Sequence, residues 1–221
     1  MLRSLPILAA LALASGVHVA NSGQTGGTWP VIVDEPAPRE GSLVINGCEI
    51  GPGAACPRVD LSHADLRGLK LNGIDLRGAN LMRANLFGAE LKGADLTGAD
   101  LRGANLQMGQ LQGVILRDAD LTGANLDYTR LSGADLSGAN LTAATLEAAM
   151  APKSKFVGAQ LIGANLMETK FYNADFANAV MQGNHAPYAI WEGCIWRTAR
   201  DAPWTGDPGV SGFGRGTRPG L

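Results

Sequence analysis

The chain is 221 residues long, with a formal net charge of -2 and 30 glycines, a length that ordinarily means one domain with or without appendages. Near-neutrality suggests neither a nucleic-acid binder nor a supercharged chain. Glycine at this frequency signals either disorder or a repeat whose turns need it, and periodicity decides between them.

The first residues, MLRSLPILAALALASGVHVANSGQ, combine Arg3 with an apolar run from Leu5 to Ala14 and then small residues, the pattern of a secretory signal peptide. The run is short for a membrane span. Cleavage fits after Ser22, with Ala20 three places before the cut, or earlier at ALA or ASG, and no cysteine near these sites supports a lipid anchor. The expectation is a signal peptide over 1–22, a flexible linker over 23–41, and a periplasmic or secreted product without membrane insertion once the signal is removed. Residues 42–59 read as an N-terminal cap. Within it, NGCEIGPGAACP is a Gly- and Pro-rich loop able to close on itself. Export permits bridging, so Cys48 and Cys56 are the candidate disulfide, with Cys194 left over.

From Leu61 to Leu146 every fifth residue is leucine, eighteen in succession. The register continues at Ala151, Phe156, Leu161, Leu166, Phe171, Phe176, Met181, Ala186, Trp191 and Trp196, and alanine usually stands two residues before each centre. On an α-helix five residues advance about 500°, which would spread the leucines round the helix. On a flat strand an odd spacing puts successive leucines on opposite faces. The remaining solution turns a corner every five residues. Four corners close a square coil of about twenty residues, and coils stack at the strand spacing of roughly 4.8 Å. Leucine fills the axis, alanine stays small beside the corner, and glycine suits a turn position with positive φ. Asp and Asn point outward, where they hydrogen-bond their own turns or stack in ladders. The repeats over 60–198 make about seven coils, a stack about 34 Å long. Trp191 and Trp196 are expected to plug its last coil, Ala151-Pro152 to distort a corner, and the Gly/Pro-rich tail 199–221 to be irregular.

The units ADLTG, ADLRG, ANLDY, ADLSG, ANLTA and ANLME resemble the A-(D/N)-L-x-x motif of pentapeptide-repeat proteins, over about residues 56–198. The resemblance implies an all-β, right-handed quadrilateral parallel β-helix. Handedness comes from the resemblance, since the five-residue period does not set it.

No Ser/His/Asp set, Gly-rich phosphate loop or metal-ligand spacing appears, so no catalytic residue, cofactor or metal site is expected, and no enzyme. Some members of the family mimic B-DNA and bind DNA gyrase. Mimicry over this length would need roughly twenty charges, whereas residues 57–198 hold thirteen Lys/Arg against fourteen Asp/Glu. Ice binding would need a threonine ladder, and only Thr122 and Thr142 stack at twenty residues. What remains is the surface. The wall around Leu66, Leu86, Leu106, Leu126 and Leu166 carries Phe87, Met108, Tyr128 and Met167, an apolar stripe among polar columns that is a candidate contact patch. Its partner is an unknown protein or a second copy, not nucleic acid. The wall around Leu76, Leu96 and Leu136 is lined by Asp75, Asp95, Asp135 and Asp175.

Overall fold

The computed structural model describes residues 43–200. The expected signal peptide, linker and most of the tail lie outside the described residues. The first of these form a hairpin of β1, Leu43–Ile45, and β2, Cys48–Ile50, paired antiparallel with Ile45 opposite Cys48. Asn46 and Gly47 join the strands with φ of 50° and 77°. Two positive φ values define a type I′ turn, whose twist matches the strands it connects and which selects Asn-Gly.

After the hairpin one pattern runs from Gly51 to Arg200 without interruption: a two-residue turn, then one bridged residue, every five positions. Each bridge is parallel and joins residues twenty apart, from Ala55–Asp75 through to Val180–Arg200. The coil therefore has four sides. Calling the central residue of each unit position 0, wall 1 is centred on Leu61, Leu81 and their successors, wall 2 on Leu66 and Leu86, wall 3 on Leu71 and Leu91, and wall 4 on Leu76 and Leu96. The pattern begins nine residues earlier than the expected boundary at 60, which leaves the hairpin as the cap. It also takes in Ala199 and Arg200 from the expected tail.

Every corner but that of Ala151 is a hydrogen-bonded turn in which the amide at position +3 donates to the carbonyl at position 0, as from Ala84 to Leu81 at 2.9 Å. Position +2 has positive φ in every unit from Gly53 to Thr198, and position +1 in none. That combination is the type II turn, which favours glycine at its third place. Between coils the amides of positions 0, +2 and -1 donate along the stack, for example Leu81 to Asp100 at 2.7 Å, Arg83 to Arg102 at 2.9 Å and Asn80 to Val59 at 2.9 Å. The amide of position +1 takes no part in this ladder.

That spare amide explains the outward residue of the motif. An Asp or Asn at position -1 turns its side-chain oxygen onto it, as Asn80 does to Met82 at 3.1 Å and Asp95 to Thr97 at 3.0 Å. Proline, which has no amide hydrogen, is equally at home there. All four prolines among the described residues, Pro52, Pro57, Pro152 and Pro187, occupy position +1. In those units position -1 is Ile50, Ala55, Met150 or His185, never Asp or Asn. The distortion expected at Ala151-Pro152 is confined to the turn bond: the Ser154 amide does not reach the Ala151 carbonyl, which accepts from the Ser154 hydroxyl at 2.6 Å instead, while register and ladder are kept. Proline fits the second place of a type II turn, Lys153 keeps a φ of 58°, and the Pro152 carbonyl still accepts from Gly133 at 2.9 Å.

The interior is as the period requires. The eighteen leucines are at most 1% exposed, and Trp191 and Trp196 are buried in the last coils. Aromatic centres stack at the coil spacing: Phe171 on Trp191 at 4.5 Å, Phe176 on Trp196 at 4.8 Å, and Phe156 on Phe176 at 4.9 Å. Where Thr129 and Ser154 replace the small alanine, their hydroxyls donate to the Leu126 and Ala151 carbonyls, both at 2.6 Å. Buried hydroxyls thus leave no unmet hydrogen bond there.

Candidate interaction surface

The stripe expected on wall 2 is present, and its members hold two kinds of position. Phe87 and Met167 stand at position +1, while Met108 and Tyr128 stand at position +2, on the corner where wall 2 turns into wall 3. Met108 is 54% exposed, Tyr128 50% and Phe87 38%, and Met167 is half-buried. Two apolar neighbours escaped the sequence reading. Tyr188, 67% exposed, continues the same corner two coils above Ala148, and Met150, 47% exposed, sits just round it at position -1 of wall 3. The usable signal for Tyr188 was register, since it lies sixty residues beyond Tyr128 and so on the same column.

This corner holds the most side chains at positive φ, although His63, Arg83 and Ala143 do the same on wall 1 and Arg58, Asp118, Asn178 and Thr198 on wall 4. Its positive-φ column runs Gly68, Gly88, Met108, Tyr128, Ala148, Glu168, Tyr188, with φ of 60° at Met108, 58° at Tyr128 and 59° at Tyr188. For an L-residue this region costs roughly 1–2 kcal/mol. On wall 3 the corresponding column from Gly73 to Gly193 is glycine except at Lys153 and Asn173. Bulky side chains at strained positions, exposed rather than packed, are where a surface function is sought.

Charge is distributed unevenly round the coil. On walls 1, 2 and 4 arginine neutralises aspartate within the chain: Arg67 with Asp65 at 2.8 Å, Arg77 with Asp75 at 2.6 Å, Arg102 with Asp100 at 2.6 Å, and Arg117 with Asp135 at 2.6 Å. The expected aspartate wall is thereby altered. Its column reads Asp75, Asp95, Ile115, Asp135, Lys155, Asp175, and Arg77 and Arg117 lie across it. The side-chain bond from Arg77 holds the Asp75 carboxyl below its ordinary value. For Asp135, only 8% exposed, burial acts upward but is outweighed by bonds from Ser137 and Arg117, and the net shift is down. Thr122 and Thr142 spend their hydroxyls on Asp120 and Asn140, at 2.5 and 2.7 Å.

Cys48 and Cys56 have Cα atoms 5.7 Å apart, within the usual range for a bridged pair. Cys194 is buried apart from them, its thiol bonded to the Phe171 carbonyl, and burial pushes it up to about 12. Among the described residues no group of three or more His, Cys, Asp or Glu is placed to hold a metal ion, and no helix is long and apolar enough to cross a membrane.

A filled four-sided solenoid with its chemistry confined to flat walls and corners is a repeat protein of the parallel β-helix class. The chain belongs to the family Pentapeptide repeats, whose pattern it matches in eight copies over residues 53–81, 59–98, 79–118, 115–149 and 153–183, more than half of its length. It folds as the right-handed quadrilateral β-helix of that family. It is 27% identical to HetL, a pentapeptide repeat protein involved in heterocyst differentiation regulation from the cyanobacterium Nostoc sp. strain PCC 7120, over 73% of this chain and 86% of that one, with a TM-score of 0.39. It is 18% identical to full-length QnrB1, a plasmid-mediated fluoroquinolone resistance protein, over 72% and 91% of the two chains, with a TM-score of 0.32. With Rfr23 from the cyanobacterium Cyanothece 51142 it shares 23% identity over 64% and 86%, with a TM-score of 0.24. No curated protein matches the chain.

Proposed function

We propose that the protein is a non-enzymatic scaffold, exported to the periplasm or cell exterior, that makes protein contacts through the corner between walls 2 and 3. The observation carrying this reading is that Met108 and Tyr128 are half-exposed apolar residues at positive φ, where glycine would be free of strain. Phe87 and Met167 flank them on wall 2. A gyrase-binding role by DNA mimicry is disfavoured, because carboxylates on walls 1, 2 and 4 are matched by arginines within the chain.

The corner supplies its own control. Glycine already occupies this column at Gly68 and Gly88, so Met108→Gly with Tyr128→Gly removes the side chains without disturbing the turn. Thermal unfolding should be unchanged or slightly raised while association with a partner or second copy is lost. Undiminished association would remove the corner from the reading. Export is tested by fractionation with intact mass: a form shortened by about twenty residues outside the cytosol supports it. In that compartment Cys48 and Cys56 form the disulfide, and alkylation should label two more thiols after reduction than before. A full-length cytosolic form would overturn both export and bridge.

A further inference from the structure

We propose that the residues following Arg200 fold back over the last coil as a lid, with Trp204 seated on Trp191 and Trp196. The site is the open end of the stack, apart from the corner described above, and its occupant is the chain's own C-terminal segment.

The first observation is burial at an end that no further coil covers. In the last complete coil, 181–200, Trp191 lies over Phe171 and Trp196 over Phe176, each ring nearly parallel to the one beneath. No coil among the described residues stands above either indole. A side chain of that size stacked on one face only would leave much of its other face in water, yet Trp191 is 2% exposed and Trp196 4%. Ala186, Ala189 and Cys194, inward in the same coil, are buried as completely. Something therefore closes this end as the hairpin closes the other.

The second observation is a set of unmet donors. From Cys56 to Met181 every amide at positions 0 and +2 donates to the coil above. Beyond Met181, the amides of Gly183, Ala186, Tyr188, Trp191, Gly193 and Thr198 donate to nothing among the described residues. The Nε1 of Trp191 is buried and also lacks an acceptor. Buried donors are ordinarily paired, so the cover has to bring oxygens.

The chain itself leaves the stack at this end with residues 201–221 still to run, whereas residues before Ser42 join it at the other end. An eighth coil cannot be the cover. Continued register would put Pro203 and Pro208 at position +2, which has positive φ in every unit from Gly53 to Thr198, and the proline ring forbids that region. The centres of such a coil would be Asp201, Gly206, Ser211 and Gly216, none of them a large apolar residue. What the segment does offer is Trp204, its first large apolar side chain. Four extended residues reach about 13 Å, more than the roughly 10 Å between packed sheets, so Trp204 can lie over either indole. Each proline contributes a carbonyl and no amide, which suits an end that presents donors. A row of unpaired amides is otherwise a template for another chain, and the lid occupies it.

The test is native-state hydrogen exchange of the full chain, read by peptide mass, with alkylation of Cys194 alongside. The expected result is slow exchange over 181–200, comparable with the coils below. Trp204→Ser should speed exchange there, and labelling of Cys194, by about tenfold or more through local opening, while the coils from Leu61 to Leu146 stay unchanged. Trp204→Phe keeps a flat ring and should hold most of the protection, which separates a packed lid from a general effect of altering the segment. Exchange over 181–200 at the rate of an unstructured chain in the unaltered protein, protection indifferent to Trp204→Ser, or protection lost evenly along the whole stack would overturn the proposal.

Discussion

The spare amide at position +1 makes a graded prediction with proline. Ser132 holds that position on wall 3. Its amide donates to nothing among the described residues, and its twenty-residue neighbour in the coil above is Pro152. Ser132→Pro therefore removes no hydrogen bond and restricts the unfolded chain, a gain of about 0.4–1 kcal/mol. For a chain of this size that corresponds to a rise in melting temperature of roughly 1–4 °C. Ser137 holds the same position on wall 4, but its amide and hydroxyl both bond to Asp135, at 3.1 and 2.6 Å. Ser137→Pro loses both bonds to a mostly buried carboxylate, and the balance should be a loss of about 1–2 kcal/mol. Gly133, one residue beyond Ser132, has a φ of 67° and donates to Pro152 at 2.9 Å. Gly133→Pro breaks the turn and the ladder together and should cost about 3 kcal/mol or more. The assay is thermal unfolding of the full chain followed by far-ultraviolet circular dichroism. If Ser132→Pro proved as damaging as Gly133→Pro, the claim that position +1 stands outside the ladder would be wrong.

The carboxylates give a pH dependence of fixed sign. Asp60, Asp75, Asp100 and Asp135 are all held below their ordinary values in the folded chain, so their stabilisation is complete above the unfolded value of about 3.9 and is lost as pH falls through the lower folded values. Urea midpoints should be flat from neutrality to about pH 4 and fall below it. An Asp135→Asn variant should show a shallower fall. Cys194, with its thiol raised to about 12 and buried, should resist a thiol reagent at pH 8 in the native protein and react fully in denaturant. Labelling of the native chain at the rate of a free thiol would mean that the last coils open readily.

The five-residue period made the coil legible because nothing else reconciles eighteen evenly spaced leucines with glycine-rich turns. The same period correctly assigned Phe171, Trp191 and Trp196 to the interior, since register outlasts the leucines. One error had a physical cause. Asn46-Gly47 between LVI and CEI is a hairpin signal, but the cysteines and glycines around it suggested a loop. At Pro152 the corner does lose its turn bond, yet the ladder is untouched because a position +1 proline surrenders no ladder amide. In the candidate surface, Phe87, Met108, Tyr128 and Met167 were found by counting in twenties, whereas Met150 was missed because it belongs by register to the next wall and joins the patch only round a corner. The pairing of Arg117 with Asp135, eighteen residues away, lay equally beyond a reading confined to single units.

Because one unit is a quarter of a coil, the length of an insertion decides what it changes. Twenty added residues would lengthen the stack and leave every later side chain on its wall. Five added residues would preserve the leucine core and every turn, yet rotate everything downstream by a quarter. A duplicated unit between Met108 and Tyr128 would carry Tyr128, Ala148 and Glu168 off the column they share with Met108 and onto the next side. Gene changes that look alike to the interior are thus of two sorts at the surface, one that copies an existing face and one that composes a new one.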